Sequence, residues 1–408
     1  MNLYIFNENH HGAVSGVEAY IRELTAGLKN QKVHVYIVHL MSDKLQVQTE
    51  AIDGIFHWHF PAPVSEQRTA SKQKQTDIYQ QNVACLLQLY IQDKKDLVFH
   101  FNFLHYQTLA EALKKVFDCK LVLSIHYLGW GFSILGNERR FRNILEVESM
   151  SESDIAIKES YIQEKELFDT IDRIICLSQN TYQIVKDIYK QKPYKLSVVY
   201  NGLSDHSQTA EKHELRKKYR LSKVPVILFT GRIDEVKGVK YIIRAFKKVL
   251  EIKPDCRLII AGNGDFQTYM KECENIWMNV TFTGLLNKTH LYELYTFSDI
   301  GVMMSFHEQC SYVAIEMMMH GLPIIGTTST GLNEMIEEGI SGLHVPIEEY
   351  PDKAEIDTAL LANKLLYLIQ NPKERKRMGL NARKRYLNVY SLPVFKRNMI
   401  SFYKSLHT

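Results

Sequence analysis

Short apolar runs alternate with amphipathic segments along this chain, and the alternation is played out twice. In the first half the strand-like runs fall at 2–7, 33–40, 55–60, 97–101, 120–125, 173–178 and 196–200, with helical patterns such as 16–30, 104–117 and 179–190 between most of them. In the second half they fall at 224–230, 257–262, 280–283, 299–304, 323–326 and 342–345. Helical segments separate these too. In 239–251, for example, Ile242, Ile243, Phe246, Val249 and Leu250 share one face. Repeated strand–helix–strand order favours parallel sheets wrapped by helices. Two such series in 408 residues, a length beyond one ordinary core, predict two doubly wound α/β domains. The boundary is expected near 202–223, where Asn201-Gly202 closes the first series and a polar, charged stretch precedes Val224. A long charged segment, 137–166, interrupts the first series and reads as helical.

Bulk properties exclude several classes. With 45% hydrophobic and 24% charged residues the chain has a globular composition. The net charge of +4, from 50 basic and 46 acidic residues, lacks the strong basic excess of a nucleic-acid binder, while permitting weak contact with an anionic membrane. Cys85, Cys119, Cys176, Cys256, Cys273 and Cys310 form no C-x-x-C pair, so reduced thiols are expected and no zinc pattern appears. A P-loop, a G-x-S-x-G elbow and a D-x-D metal motif are all missing from the sequence. The N-terminus has no basic region ahead of its short apolar run, and no stretch approaches the roughly 20 apolar residues of a membrane span. A cytoplasmic location, or the inner face of the membrane, is expected.

In doubly wound sheets ligands bind outside the carboxyl ends of the strands. One apolar run ends in Gly231-Arg232, and a short loop delivers Lys237-Gly238 to the next helix. Arg can fork onto a diphosphate and Lys adds a point charge; surface charge is the plainer alternative. Gly262-Asn263-Gly264 and Gly326 through Gly331 follow two other strands, where tight-turn chemistry is the competing reading. Gly16 opens the first helix after the loop that contains His10, His11 and Gly12, and His126 ends a buried strand. Glu308 and Glu316 sit eight residues apart, the second inside the apolar run 313–319. Ser311 suits a helix N-cap, and Gly321 with Pro323 a stop. The helix start offers free N–H groups to a phosphate, and the two carboxylates offer acceptors to hydroxyls. The alternative is a structural Glu316 paired with a buried Arg and a solvated Glu308.

Together, Gly231-Arg232…Lys237-Gly238 and the E-x7-E pair resemble the retaining glycosyltransferases of family four, over nearly the whole chain. The resemblance implies the two-domain GT-B fold: an acceptor-side domain at 1–202 joined by a returning helix at about 388–408, and a nucleotide-sugar domain at 203–387. It implies that Arg232 and Lys237 hold the donor diphosphate and that Ser311, Tyr312 and Val313 present backbone groups to it. Glu316 would bind the ribose hydroxyls, Glu308 the transferred sugar, Gly16 a phosphate, and His126 would lie near the sugar. Gly262 and Gly264 fall where a nucleotide would lie. The first loop has Ser15-Gly16 where the family often has Gly-Gly, and Ser311 stands where a small glycine is common. The implied co-substrate is a UDP- or GDP-sugar, with no resident cofactor or metal. The acceptor would be a glycan, a lipid-linked glycan, a peptide or a small molecule; Arg139, Arg140 and Arg142 could meet a lipid phosphate, against the plainer reading of a solvated helix face. Other chemistry on the same fold, epimerase or phosphorylase, and a non-catalytic partner subunit are the rival readings.

Overall fold

The computed structural model describes residues 1–8, 16–63, 72–93, 95–147, 151–207, 211–221 and 223–406, with the side chain of Lys72 left out. The chain forms two compact units: Met1–Leu128, Ser151–Val199 and Lys396–Thr408 make the first, and Gly129–Met150 with Tyr200–Phe395 the second.

The first unit is built on an eight-stranded sheet. Its strands are β1 Asn2–Glu8, β2 His34–Ser42, β3 Gln48–Ile52, β4 Ile55–Pro61, β5 Leu97–Phe101, β6 Cys119–Ile125, β7 Arg173–Cys176 and β8 Leu196–Val198. They run in the order β3-β4-β2-β1-β5-β6-β7-β8. Every pair is parallel except β3 with β4. Parallel neighbours need long crossovers, and helices such as Gly16–Leu28 and Gln107–Val116 supply them. Strands covered on both faces read as continuous apolar runs; Leu3, Ile5, Phe6, Phe99, Phe101, Leu121 and Leu123 have no exposed surface. β3 was not foreseen, because Gln-Thr-Glu-Ala-Ile is exposed throughout and carries no burial pattern. The order reverses between β1 and β5, so the carboxyl ends of these strands flank the crevice of the sheet.

The last helix, Leu392–Lys404, returns to this unit from Lys396 onward. It buries Met399, Phe402 and Tyr403. The Tyr403 hydroxyl lies 2.6 Å from His100 Nδ1, and His100 Nε2 lies 2.7 Å from Ser124 Oγ, which is 2.8 Å from the Tyr20 hydroxyl. One buried chain of hydrogen bonds thus ties the C-terminal helix to β5, β6 and the first helix. Burial and the neighbouring His126 push His100 down to about 3, so the ring is neutral, donating from one nitrogen and accepting at the other.

The second unit carries six parallel strands: β9 Val226–Thr230, β10 Arg257–Ala261, β11 Val280–Gly284, β12 Ile300–Met303, β13 Ile324–Thr327 and β14 Gly342–Val345. Their order is β11-β10-β9-β12-β13-β14, with the reversal between β9 and β12. A small hairpin, β15 Ile347–Glu349 with β16 Ala354–Ile356, follows. The helix Val239–Ile252 buries Ile242, Ile243, Phe246 and Val249 against the sheet, and Leu250 is only partly buried.

Gly129–Met150, expected with the first domain, clusters with the second. The physical reason is local packing. Trp130 stacks on Phe141 at 4.6 Å, Leu135 packs on the second core, and the Asn137 amide donates to the carbonyls of Tyr350 (2.7 Å) and Lys353 (3.2 Å). The charged stretch 137–166 therefore divides into the helix Glu138–Glu146 in the second unit and the helix Glu152–Thr170, which belongs to the first. No helix among the described residues is long and apolar enough to cross a membrane.

Candidate active site

The reversal between β9 and β12 puts the motif loops of the second unit side by side. After β9 the backbone crosses the loop after β10: Gly231 N donates to Ala261 O (3.0 Å), Ile233 N to Asn263 O (2.8 Å) and Asp265 N to Ile233 O (3.0 Å). A Cβ on Gly262 would stand 1.8 Å from Gly231 O, and one on Gly264 2.2 Å from Ile233 O. Both residues have φ of 149°, so backbone crossing by itself already demands glycine at each.

The same loop then turns against the end of β12. Asp234 Oδ1 accepts from Lys237 N at 2.9 Å, Val236 O accepts from Phe306 N at 2.8 Å, and Gly238 adopts φ of 64° with Met304 O 2.2 Å from where its Cβ would be. That close approach brings the Lys237 ammonium onto the Glu308 carboxylate in a largely buried ion pair. Ser305 Oγ donates to the same carboxylate oxygen at 3.0 Å. The Glu308 backbone is clamped from beyond β13: its N–H donates to Thr330 Oγ1 at 2.9 Å, and its carbonyl accepts from Gly331 N at 2.8 Å. Arg232 stays mostly exposed, 3.2 Å from Asp234 and with its guanidinium 5.9 Å from the Phe132 ring centre.

The helix Tyr312–Met319 begins as the sequence implies. Ser311 Oγ accepts from Ala314 N at 3.5 Å, and Tyr312 and Val313 are half-buried. Ser311 N points instead to Met335 Sδ at 3.2 Å. Glu316 is 3% exposed. Its partner is not an arginine: Lys288 reaches one oxygen, and the Tyr295 hydroxyl donates to the other at 2.9 Å while lying 2.9 Å from Thr230 Oγ1. Burial, with Glu316 adjacent, holds Tyr295 well above the ordinary phenol range, so it remains a donor. Lys288 is half exposed, and its ammonium also lies 5.7 Å from the Tyr292 ring centre.

Sequence reasoning missed Lys288, Tyr295, Ser305 and Thr330. Lys288 was detectable by the strand-end rule, since it opens the helix that follows β11. His307 was missed too. Its ring packs where a Cβ on Gly131 would come within 2.3 Å, between Trp130 (5.7 Å) and Phe132 (5.5 Å). Burial, opposed by Glu308 and reinforced by Lys237, lowers it to about 4.

In the first unit His126 follows β6. Its Nε2 lies 3.0 Å from Asn102 Oδ1, Tyr20 packs edge-on at 4.8 Å, and burial lowers it to about 3. Asn102 is itself fixed by donating to Phe6 O at 3.0 Å. Gly16 is exposed at the start of its helix, with nothing within 4 Å of a Cβ placed there, so packing does not require a glycine. His10, His11, Gly12 and Ser15 lie outside the described residues. Arg142 pairs with Glu138 at 2.6 Å, and Arg140 donates to Asp352 O at 3.4 Å. Among the described residues, no three His, Cys, Asp or Glu side chains converge as a metal site.

Comparison with solved structures agrees with this architecture. The sucrose-phosphate synthase of Thermosynechococcus elongatus superposes over 100% of this chain and 99% of its own, at a TM-score of 0.76 and 19% identity. Anabaena HepE, crystallised with UDP and glucose, superposes over 99% of each chain, at a TM-score of 0.71 and 16% identity. At such identities the likeness defines the fold alone: two Rossmann-like domains in the GT-B arrangement. The family is set by sequence. Residues 14–206 match the model for Glycosyltransferase Family 4, and residues 211–385 that for Glycosyl transferases group 1. The chain belongs to this glycosyltransferase family. An uncharacterised glycosyltransferase of Methanocaldococcus jannaschii is 29% identical over 239 residues, which make up 54% of this chain and 60% of that relative's length.

Proposed function

We propose that the protein transfers a sugar from a nucleoside-diphosphate donor to an acceptor hydroxyl, with retention at the anomeric carbon, in the synthesis of a glycan or glycoconjugate. The observation that carries this reading is the Lys237–Glu308 pair at the reversal point of the second sheet, clamped by loops from β9, β12 and β13. A carboxylate so fixed is preorganised to accept from sugar hydroxyls. Arg232, Lys237 and the backbone at Ser311, Tyr312 and Val313 would stabilise the departing diphosphate without a metal. Glu316, poised between Lys288 and Tyr295, would take the ribose hydroxyls. Gly16 and His126 keep the roles the family resemblance implies, at a phosphate and near the sugar.

In the reaction the bond from the anomeric carbon to the diphosphate oxygen breaks, the bond to the acceptor oxygen forms, and the acceptor proton passes to the leaving diphosphate. A uridine donor is favoured over a guanosine donor by the UDP bound to Anabaena HepE. Action in the cytoplasm, or at the inner membrane face on a lipid-linked acceptor, completes the proposal.

The test is release of nucleoside diphosphate from a panel of UDP- and GDP-sugars. Glu308→Gln and Lys237→Ala should lose turnover while keeping a cooperative thermal transition. Full turnover in both would refute the site. An epimerised donor, or a requirement for inorganic phosphate, would replace transfer with one of its rivals.

A further inference from the structure

A second site lies at the other end of the same sheet. Asp299 immediately precedes β12 and Pro323 immediately precedes β13, so the cavity they help to line is at the amino ends of the strands, away from Glu308. Its volume is about 620 Å³, within the range of roughly 300–1,000 Å³ usual for small-molecule pockets. Four cations line it, Lys212, Arg375, Lys376 and Arg383, against one carboxylate, Asp299.

That carboxylate is already saturated. It takes Lys212 at 3.2 Å, Arg375 at 3.7 Å and Arg216 besides. The two lining arginines are already engaged: Arg375 donates to Leu368 O at 2.8 Å, and Arg383 to Met319 O at 2.9 Å and, through both terminal nitrogens, to the Asp205 carboxylate. They are therefore fixed in place before any ligand arrives. Lys376 is exposed, and among the described residues no hydrogen bond or ion pair engages it. His320 shares Nδ1 with Thr296 Oγ1 at 3.2 Å, while its Nε2 is buried with no partner among the described residues. Burial lowers this ring to about 4, so near neutral pH it is uncharged; the Thr296 hydroxyl donates to Tyr292 O at 2.8 Å, so Nδ1 carries the proton and donates to Thr296, and Nε2 is an acceptor. A positive surplus, preorganised guanidinium groups and a free ammonium in one concavity suit an oxyanion.

We propose that this cavity binds a phosphate group, either inorganic phosphate or a soluble phosphate monoester, at a site separate from the donor site. The probe is inorganic phosphate, titrated by calorimetry at low ionic strength into the full chain and its variants. Lys376→Ala should weaken binding by roughly tenfold, the worth of one charge-assisted hydrogen bond, and Lys376→Arg should restore it. Lys237→Ala should leave this binding unchanged. Equal affinity in wild type and Lys376→Ala, or loss of binding only in Lys237→Ala, would overturn the proposal, as would no phosphate binding at all. A parallel arm uses phosphatidylcholine vesicles containing phosphatidic acid. Lys376-dependent capture on vesicles without binding of free phosphate would assign the surface to a lipid headgroup and overturn the soluble ligand.

Discussion

Glu316→Gln separates the two roles open to this carboxylate. The substitution keeps shape and volume in a site that is 3% exposed, and it removes the charge. The carboxylate now accepts from Tyr295 at 2.9 Å on one oxygen and pairs with Lys288 on the other. A glutamine can accept on one side only; its amide then faces either the Lys288 ammonium, which cannot accept, or the Tyr295 hydroxyl. One charge-assisted hydrogen bond is therefore lost, worth about 1.5–3 kcal/mol when buried. Lys288 is half exposed, so solvent screening reduces its share to a total of about 1–2 kcal/mol. For a domain of this size each kcal/mol moves Tm by about 2–4 °C, giving a fall of roughly 2–8 °C. If Glu316 also takes the ribose hydroxyls, the loss of an anionic acceptor should weaken donor binding by about tenfold or more. Calorimetric Kd for UDP and a thermal melt on the same sample read both effects. Tyr295→Phe is the control: it removes the buried hydroxyl and leaves the charge, so Tm should fall with a smaller change in UDP affinity. A Glu316→Gln protein with lowered Tm but unaltered UDP affinity and kcat/KM would refute the ribose assignment and leave the carboxylate as a purely structural partner of Lys288 and Tyr295.

Gly262→Ala should destabilise the second unit by more than about 1 kcal/mol, because its Cβ meets Gly231 O at φ of 149°; an unchanged urea midpoint would show that the two loops can separate freely. Gly131→Ala drives a methyl into the His307 ring, an overpacking cost of about 1–3 kcal/mol, and should lower both Tm and kcat/KM because His307 adjoins Glu308. Wild-type values for both would mean that the 129–133 helix yields without disturbing the site. Acid should weaken the fold earlier than carboxylate titration alone would. His100 and His126 are held down to about 3 and His307 and His320 to about 4, whereas in the unfolded chain they protonate near 6.5. The unfolded state then binds more protons, so stability is full above about pH 6.5 and is lost progressively as pH falls toward those folded values. Equal urea midpoints at pH 7 and pH 5 would contradict this.

The sheets were legible because strands buried on both faces are apolar along most of their length, as in Val226–Thr230 and Leu97–Phe101, where only Thr230 and His100 are polar. β3 was illegible for the converse reason, since an exposed antiparallel edge asks nothing of its side chains beyond pairing. The stretch 137–166 read as helical, but neither the short helix Gly129–Ser133 nor the core these segments join was legible, because Trp130 and Phe141 suit any apolar surface and only the three-dimensional fit to Leu135, Gly136 and His307 chooses one. Glu316 was visible as an anomaly, a lone acid in an apolar helix, yet its partners come from a helix after β11 and were not.

The glycines call for the sharpest revision. Gly262 and Gly264 suggested a ligand approaching the backbone, whereas the nearest groups are the carbonyls of Gly231 and Ile233. The chemical consequence still runs to the site. Those two glycines let the loop after β9 lie across the loop after β10, and Gly238 lets its far end press against Met304 at the close of β12. With both approaches made, Lys237 lies on Glu308. The spacing from Gly231 to Gly238 is therefore a device for aiming an ammonium at a carboxylate. A motif that sequence reasoning treats as a phosphate cradle owes its first constraint to the backbone crossing that builds it.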